Sequence, residues 1–354
     1  MRVALIAPPF ISVPPQHYGG TELFIAQLAE GLSARGIDVV VYTNGESTVG
    51  VEKRWLYREP QWPLKGEIYD NLKDMNHTAW SVHDASQDCD VIHLNNVPGL
   101  VHSRFVRQPF IYTMHHPHED GLSNFYRYYP DTHYVTISDF QRVREPMPRV
   151  RTIHHGVNTT LYEVREKKQR YLSFIGRIAP IKGVHLAVQV AKKAGIPLKI
   201  AGEVQPMFQE YFDTEIKPHV DGKLIEFIGE ADLQAKNELL GNSMAMLFPI
   251  QWDEPFGLVM VEAMACGTPV LAMPGGSVPE IVKDGVSGYI CDSVEEMAER
   301  ARTLNIPAAT VRDYAQKNFS LDRMVQEYID MYEDAIVGAT EEDDKGAQKH
   351  KAIA

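Results

Sequence analysis

The sequence predicts an α/β fold built from two Rossmann-like domains whose parallel sheets face one another. Short, continuously apolar runs alternate with helical patterns along nearly the whole chain, as in a parallel sheet covered by helices on both faces. The alternation breaks once, at about residue 158, and then restarts. With 354 residues, the chain is more than twice the usual domain length of roughly 100–150 residues, so two series mean two domains.

The first series opens with "RVALIAP", a buried strand. A proline-rich loop follows, then the helical "GGTELFIAQLAEGLSARG", with Gly36 placed to end it. "IDVVVYT", "CDVIHL", "PFIYTMH" and "THYVTIS" continue as strands. "RTIHHGVNTTLYEVREKKQR" is polar and charged, as a linker would be. The second series runs "YLSFIGR", the helical "GVHLAVQVAKKAG", "PLKIAG", "KLIEFIG", a helix near 232–240, "MAMLFP", a helix from Phe256 or Gly257, and "TPVLAM". Near the end, apolar residues at 321, 324, 325, 328, 329, 332 and 336 form one helical stripe that needs a surface to cover it. Residues 339–354 are polar and poor in aromatics, which predicts a flexible tail. No short period repeats, so a solenoid is excluded.

Composition narrows the class. Hydrophobic residues at 44% and charged ones at 23% suit a globular protein with large cores. No apolar run approaches the roughly 20 residues of a membrane span. "MRVALIAPPF" is too short and too soon broken by proline for a secretory signal. Cys89, Cys266 and Cys291 are far apart and make no Cys-x-x-Cys pattern, which favours a reducing, cytoplasmic setting. The net charge of −12 argues against a nucleic-acid partner. The densest basic stretch, Arg142, Arg144, Arg149 and Arg151, reads as a solvated linker face, with membrane docking of an acceptor as the sharper alternative.

Four loops carry candidate chemistry. Gly19 and Gly20 precede the first helix without the G-x-G-x-x-G spacing, and "IDVVVYT" ends without an acid for a ribose, so a dinucleotide site is disfavoured. The glycines either permit a tight turn or let backbone N–H groups approach a ligand. His115, His116 and His118 invite a metal, but neighbouring strand residues point to opposite faces and no carboxylate follows at helical spacing. His115 instead stands at the carboxyl end of a parallel strand, where open α/β sheets bind ligands. Arg177 and Lys182 lie in one strand-to-helix loop and could clasp a diphosphate, or simply be surface cations.

The fourth loop is "DEPFGLVMVEAMACGTPVLA". Glu254 sits in it and Glu262 lies within the following helix, whose free N–H groups around Gly257, Leu258 and Val259 point to the sheet's carboxyl edge. With Glu254 outside the helix, the two acids can reach opposite ends of one elongated ligand, each accepting sugar hydroxyls. Gly275 and Gly276 add a further loop at the same edge, with Glu280 opening the helix after it.

The series "GRIAPIKG", "EPFGLVMVEAMACGTPVLA" and "GGSVPEIVKDGVSGYI" resembles the retaining nucleotide-sugar glycosyltransferases of family 4, which have the GT-B fold. The likeness is densest over 171–292 and weaker at "GGTE", "TMHH", "TISDFQR" and "HHGVN". It implies domains at 1–158 and 159–319, with a C-terminal helix at about 320–338 returning to the first. Arg177 and Lys182 would neutralise the donor's diphosphate and Glu262 would hold its ribose. Glu254, with N–H groups from Phe256, Gly257 and Leu258, would hold the transferred sugar. Gly20 would lie near the phosphates and His115 near the anomeric carbon. Gly19, Gly202 and Val259 complete the implied donor-binding set.

The activity implied is hexose transfer with retention from a nucleoside diphosphate sugar, UDP-glucose-like or GDP-mannose, to a hydroxyl acceptor. An epimerase of the same fold and a non-catalytic nucleotide-sugar-binding module are the alternatives. No cofactor is required; Mg²⁺ is admissible but not needed, because the two cations take its role. Two features depart from the family pattern. Asn158 stands where many relatives have Asp, and no basic amphipathic helix is evident in the first domain, which favours a soluble acceptor over a membrane one.

Overall fold

The computed structural model describes residues 1–16, 19–64 and 68–353, with side chains described except at 68 and 340–353. The chain divides into two units: unit 1 is Met1–His154 with Leu321–Ala354, and unit 2 is His155–Ser320. The division falls just before residue 158, where the sequence pattern breaks. Asn158 caps the short turn Thr159–Leu161, its Oδ1 accepting from the Thr160 N–H at 3.1 Å and the Thr160 hydroxyl at 2.7 Å.

Unit 1 holds β1 (Arg2–Ile6), β2 (Asp38–Tyr42), β3 (Glu52–Arg54), β4 (Val91–Leu94), β5 (Phe110–Met114), β6 (His133–Thr136) and β7 (Val150–Thr152). They pair in parallel in the order β3-β2-β1-β4-β5-β6-β7. Unit 2 holds β8 (Leu172–Ile175), β9 (Leu198–Ala201), β10 (Ile225–Gly229), β11 (Ala245–Phe248), β12 (Val270–Ala272) and β13 (Gly288–Ile290), parallel in the order β10-β9-β8-β11-β12-β13. Each order reverses once, between β1 and β4 and between β8 and β11. At such a switch point the loops leaving the two strands part, opening a crevice at their carboxyl ends.

Strands β1 and β11, at the switch points, are buried and almost wholly apolar because helices cover both faces: Val3, Leu5, Ala245 and Leu247 are buried. The strands that sequence reading did not predict, β3, β7 and β13, are three residues each at or near sheet edges, and read "EKR", "VRT" and "GYI". Strands that short carry almost no periodic signal.

The final helix, Leu321–Ile353, belongs to unit 1. Met324, Val325, Tyr328 and Tyr332 join Phe24, Ile25, Leu28 and Leu32 of the helix Gly20–Ala34 in one core. Full burial of side chains this size stabilises by about 1.5–3 kcal/mol each. Gly31 permits the approach: a Cβ there would stand 2.5 Å from Val325 Cγ2. The backbone is helical to Ile353. Ala, Glu, Lys and Gln dominate the segment 339–353 and no proline interrupts it, so helix propensity outweighs its lack of apolar residues. No helix among the described residues is long and apolar enough to cross a membrane.

Candidate active site

In unit 2 the two strands beside the switch point deliver the candidate residues. The loop after β8 carries Arg177 and the turn Pro180–Lys182; the loop after β11 carries Glu254. Gly183 follows the turn at φ +71°, and a Cβ there would lie 1.8 Å from the Pro249 carbonyl oxygen. Only glycine fits, so Lys182 is pressed against the β11 exit. The Gln251 N–H donates to the Ile181 carbonyl at 2.7 Å and ties the two loops together.

Lys182 and Glu254 meet there. Nζ lies 2.5 Å from Glu254 Oε2, and the Trp252 indole N–H donates to the same oxygen at 2.8 Å. The ammonium also stands over the Trp252 ring, 4.6 Å from its centre. Both Lys182 and Glu254 are largely buried. The double glycine of the next loop supports this geometry from behind. Gly276 has φ +58°, and a Cβ on it would meet the Glu254 carbonyl oxygen at 2.2 Å. The Ser277 N–H donates to that oxygen at 2.9 Å and its hydroxyl to the Phe256 carbonyl at 2.8 Å.

The helix after the loop is Leu258–Ala265, later than the predicted start at Phe256 or Gly257. Gly257 is its N-cap at φ +80°, a left-handed conformation that ends the loop rather than starting the helix. Phe256 is not helical either: its ring is buried against His155 and Phe319, leaving only its backbone for a ligand. Leu258 and Val259 form the first turn, so their N–H groups have no acceptor within the helix. Glu262 lies about one turn further on and is buried. Its Oε1 accepts from the Tyr162 hydroxyl at 2.8 Å and from Lys236 Nζ at 2.5 Å. Burial and the neighbouring carboxylate push the Tyr162 phenol well above its ordinary range, so it remains a donor.

Lys236, Tyr162 and Trp252 went unnoticed in the sequence. Trp252 had a positional signal, two residues before Glu254; the other two reach Glu262 only through the fold. Gly202 is required by packing, since its Cβ would lie 1.9 Å from the Gly176 carbonyl oxygen.

Unit 1 positions His115 directly after β5. Its Nε2–H donates to Asn95 Oδ1 at 2.9 Å, and its ring packs edge-on to Phe24 at 4.9 Å. The three histidines have different partners: His116 pairs with the Tyr126 hydroxyl at 2.7 Å and His118 with Glu145 Oε1 at 2.9 Å. Glu145 draws the His118 pKa up. Gly19 is extended and caps the helix Gly20–Ala34; a Cβ on it would strike Pro15 at 2.8 Å and Glu22 Oε2 at 2.9 Å. Gly20 has open space where a side chain would be. The basic stretch is largely engaged within unit 1. Arg142 bonds Asp139 at 2.9 Å, Arg151 bonds Asp334 at 2.7 Å, and the Arg144 guanidinium lies 3.5 Å from the Phe140 ring centre.

Residues 18–161 match the family described as Glycosyltransferase Family 4, and residues 162–306 match Glycosyl transferases group 1. A D-inositol 3-phosphate glycosyltransferase of Mycolicibacterium smegmatis is 29% identical over 158 residues, which is 41% of this chain and 36% of that relative. The match thus spans well under two thirds of its length. Spore coat protein SA of Bacillus subtilis is 23% identical over 94% of this chain and 99% of its own. Among solved structures, sucrose-phosphate synthase from Thermosynechococcus elongatus has a TM-score of 0.78 at 19% identity, covering 95% of this chain and 99% of that one. The Anabaena protein HepE, solved in complex with UDP-glucose, has a TM-score of 0.74 at 18% identity, covering 94% and 100%. At these identities the structural likeness establishes the fold, which is GT-B. Fold and family matches together define a glycosyltransferase. The chain belongs to the family 4 glycosyltransferases.

Proposed function

We propose that the chain transfers a hexose, with retention of anomeric configuration, from a nucleoside diphosphate sugar to a hydroxyl acceptor. A UDP-glucose-like donor is favoured and GDP-mannose is the next choice. The observation that carries this reading is the paired arrangement of Lys182 with Glu254 and Lys236 with Glu262 around the helix Leu258–Ala265. Two acids that accept hydroxyls, with a cation and open helix N–H groups among them, match a ligand with anionic phosphates at its middle and hydroxyls at both ends.

In this reading Arg177 and Lys182 stabilise the departing diphosphate, whose charge grows as the sugar becomes oxocarbenium-like. Glu262 binds the ribose with its remaining oxygen, and Glu254 orients the hexose. Transfer occurs on the front face: the anomeric C–O bond to the diphosphate breaks, the acceptor oxygen bonds the anomeric carbon, and its proton passes to the leaving phosphate oxygen. No metal is required, since fixed cations meet the developing charge. The buried free thiols Cys89, Cys266 and Cys291 support a cytoplasmic setting, and we place the acceptor in solution rather than on a membrane.

Incubating the chain with a panel of donors and measuring free nucleotide tests the proposal. Nucleotide release that depends on one donor and rises with an acceptor is expected; no release from any donor would leave only a binding module. Trapping a covalent sugar adduct on Glu254 by mass spectrometry would overturn the front-face step.

A further inference from the structure

The proposed roles give Lys182 to the diphosphate and Glu254 to the sugar, yet the two are paired with each other. Glu254 Oε2 takes both the Lys182 ammonium at 2.5 Å and the Trp252 N–H at 2.8 Å. Side-chain exposure of 13% for Lys182 and 10% for Glu254 leaves the pair weakly screened by water and salt. The indole ring lies under the same ammonium, so Trp252 touches both partners. Its backbone is fixed too, because a Cβ on Gly275 would come within 2.6 Å of the Trp252 carbonyl oxygen.

We propose that the Lys182–Glu254 pair, positioned by Trp252, makes the site select an intact nucleoside diphosphate sugar over the nucleoside diphosphate left after transfer. This rests on the function proposed above. A diphosphate arriving alone draws Lys182 from Glu254 and leaves a buried carboxylate facing an incoming anion, an unfavourable placement of like charges. A donor that carries its sugar supplies hydroxyls to the released Glu254 oxygens, so both halves of the opened pair are satisfied. Once the sugar has left with the acceptor, Glu254 takes Lys182 back and the nucleoside diphosphate is expelled. Trp252 is a positioning residue: its N–H keeps the carboxylate oriented, and its ring face holds the ammonium nearby while the pair is open.

The experiment is calorimetric titration of UDP, GDP, UDP-glucose and GDP-mannose into the wild-type chain, Glu254→Gln and Trp252→Phe. Glu254→Gln should bind the nucleoside diphosphate about tenfold more tightly, because the competing charge is gone. The preference for donor over nucleoside diphosphate should collapse with it. Trp252→Phe keeps an aromatic face and loses the N–H, and should move the same ratio in the same direction by about threefold. It should also strengthen product inhibition, which a purely structural tryptophan would not do. A wild-type chain that binds none of the four ligands overturns the proposed function and this inference together. Binding by the wild type with an unchanged ratio in Glu254→Gln overturns this inference alone. Should Glu254→Gln not fold, an unchanged ratio in Trp252→Phe does the same.

Discussion

The two units share a doubly wound parallel sheet, but the polar groups beside their switch points differ. In unit 2, lysine–glutamate pairs stand beside the loops at the switch point. In unit 1, a neutral network fills the interior: His93 Nδ1 lies 2.7 Å from the Tyr332 hydroxyl, His93 Nε2 lies 2.8 Å from Thr113 Oγ1, and Thr113 Oγ1 lies 2.8 Å from the Tyr328 hydroxyl. All four residues are fully buried. A charged pair can exchange partners with a ligand of matching charge. A neutral, enclosed network has nothing to exchange, and here it anchors the returning C-terminal helix to β4 and β5. His115 sits beside that frame, reaching it through Phe24, which packs on His93 and Tyr328. On the proposed function, the pairs of unit 2 serve ligand exchange, while the network of unit 1 fixes its C-terminal helix.

Lys182→Ala should break the contrast most sharply. It is expected to lower turnover by about 100- to 1000-fold, the usual cost of removing one preplaced donor to a developing charge. Binding of the free nucleoside should fall far less. Steady-state nucleotide release beside a binding titration checks this, and weakened UDP binding with unchanged turnover would deny the leaving-group role. Thr113→Val probes the other unit. It leaves the Tyr328 hydroxyl and His93 Nε2 without a partner and should reduce unfolding free energy by about 1–3 kcal/mol in urea. Turnover of the folded protein should not change.

Two buried histidines of unit 1, His93 in that network and His77 beside the Ala7 carbonyl, predict a pH dependence. Burial holds the His93 pKa at about 3 and the His77 pKa at about 4. Below about pH 6.5 the unfolded chain takes up protons that these folded histidines refuse. Their stability contribution is therefore complete above that pH and is lost as pH falls toward the folded values, by up to about 1.4 kcal/mol per pH unit for each histidine. His93→Gln should flatten the urea midpoint against pH between 6.5 and 4. His118, raised by Glu145, acts in the opposite sense in both proteins and drops out of the difference. Identical pH slopes would contradict the neutral assignment. Tyr162→Phe should be the smallest effect, weakening donor binding by about threefold to tenfold through one lost hydrogen bond to Glu262.

Much of the fold was legible because central parallel strands must be apolar on both faces, and "VALI", "VVVY" and "AMLF" can hardly be read otherwise. The three-residue strands were not, since the sheet rather than their composition makes them strands. The stripe at 321–336 showed that a helix had a face to bury but not that Tyr328 and Tyr332 would share hydrogen bonds with Thr113 and His93. In the candidate site, Glu254, Glu262, Arg177 and Lys182 stood out through their spacing and family likeness. What no spacing revealed is that acids and lysines pair, because Lys236 lies on a separate helix, 26 residues before Glu262. The glycines were only half understood. Gly183, Gly202 and Gly276 first serve loop-to-loop packing, a demand visible only when the carbonyl opposite each is known.

The most direct test of the central claim is whether Glu262 reads a ribose. Calorimetry should compare inorganic pyrophosphate with UDP and GDP, in the wild-type chain and in Glu262→Gln. The account predicts that a nucleoside diphosphate binds the wild type more tightly than pyrophosphate, and that Glu262→Gln removes about tenfold of that advantage while leaving pyrophosphate affinity unchanged. Equal loss for both ligands, or no preference for the nucleoside in the wild type, would contradict it.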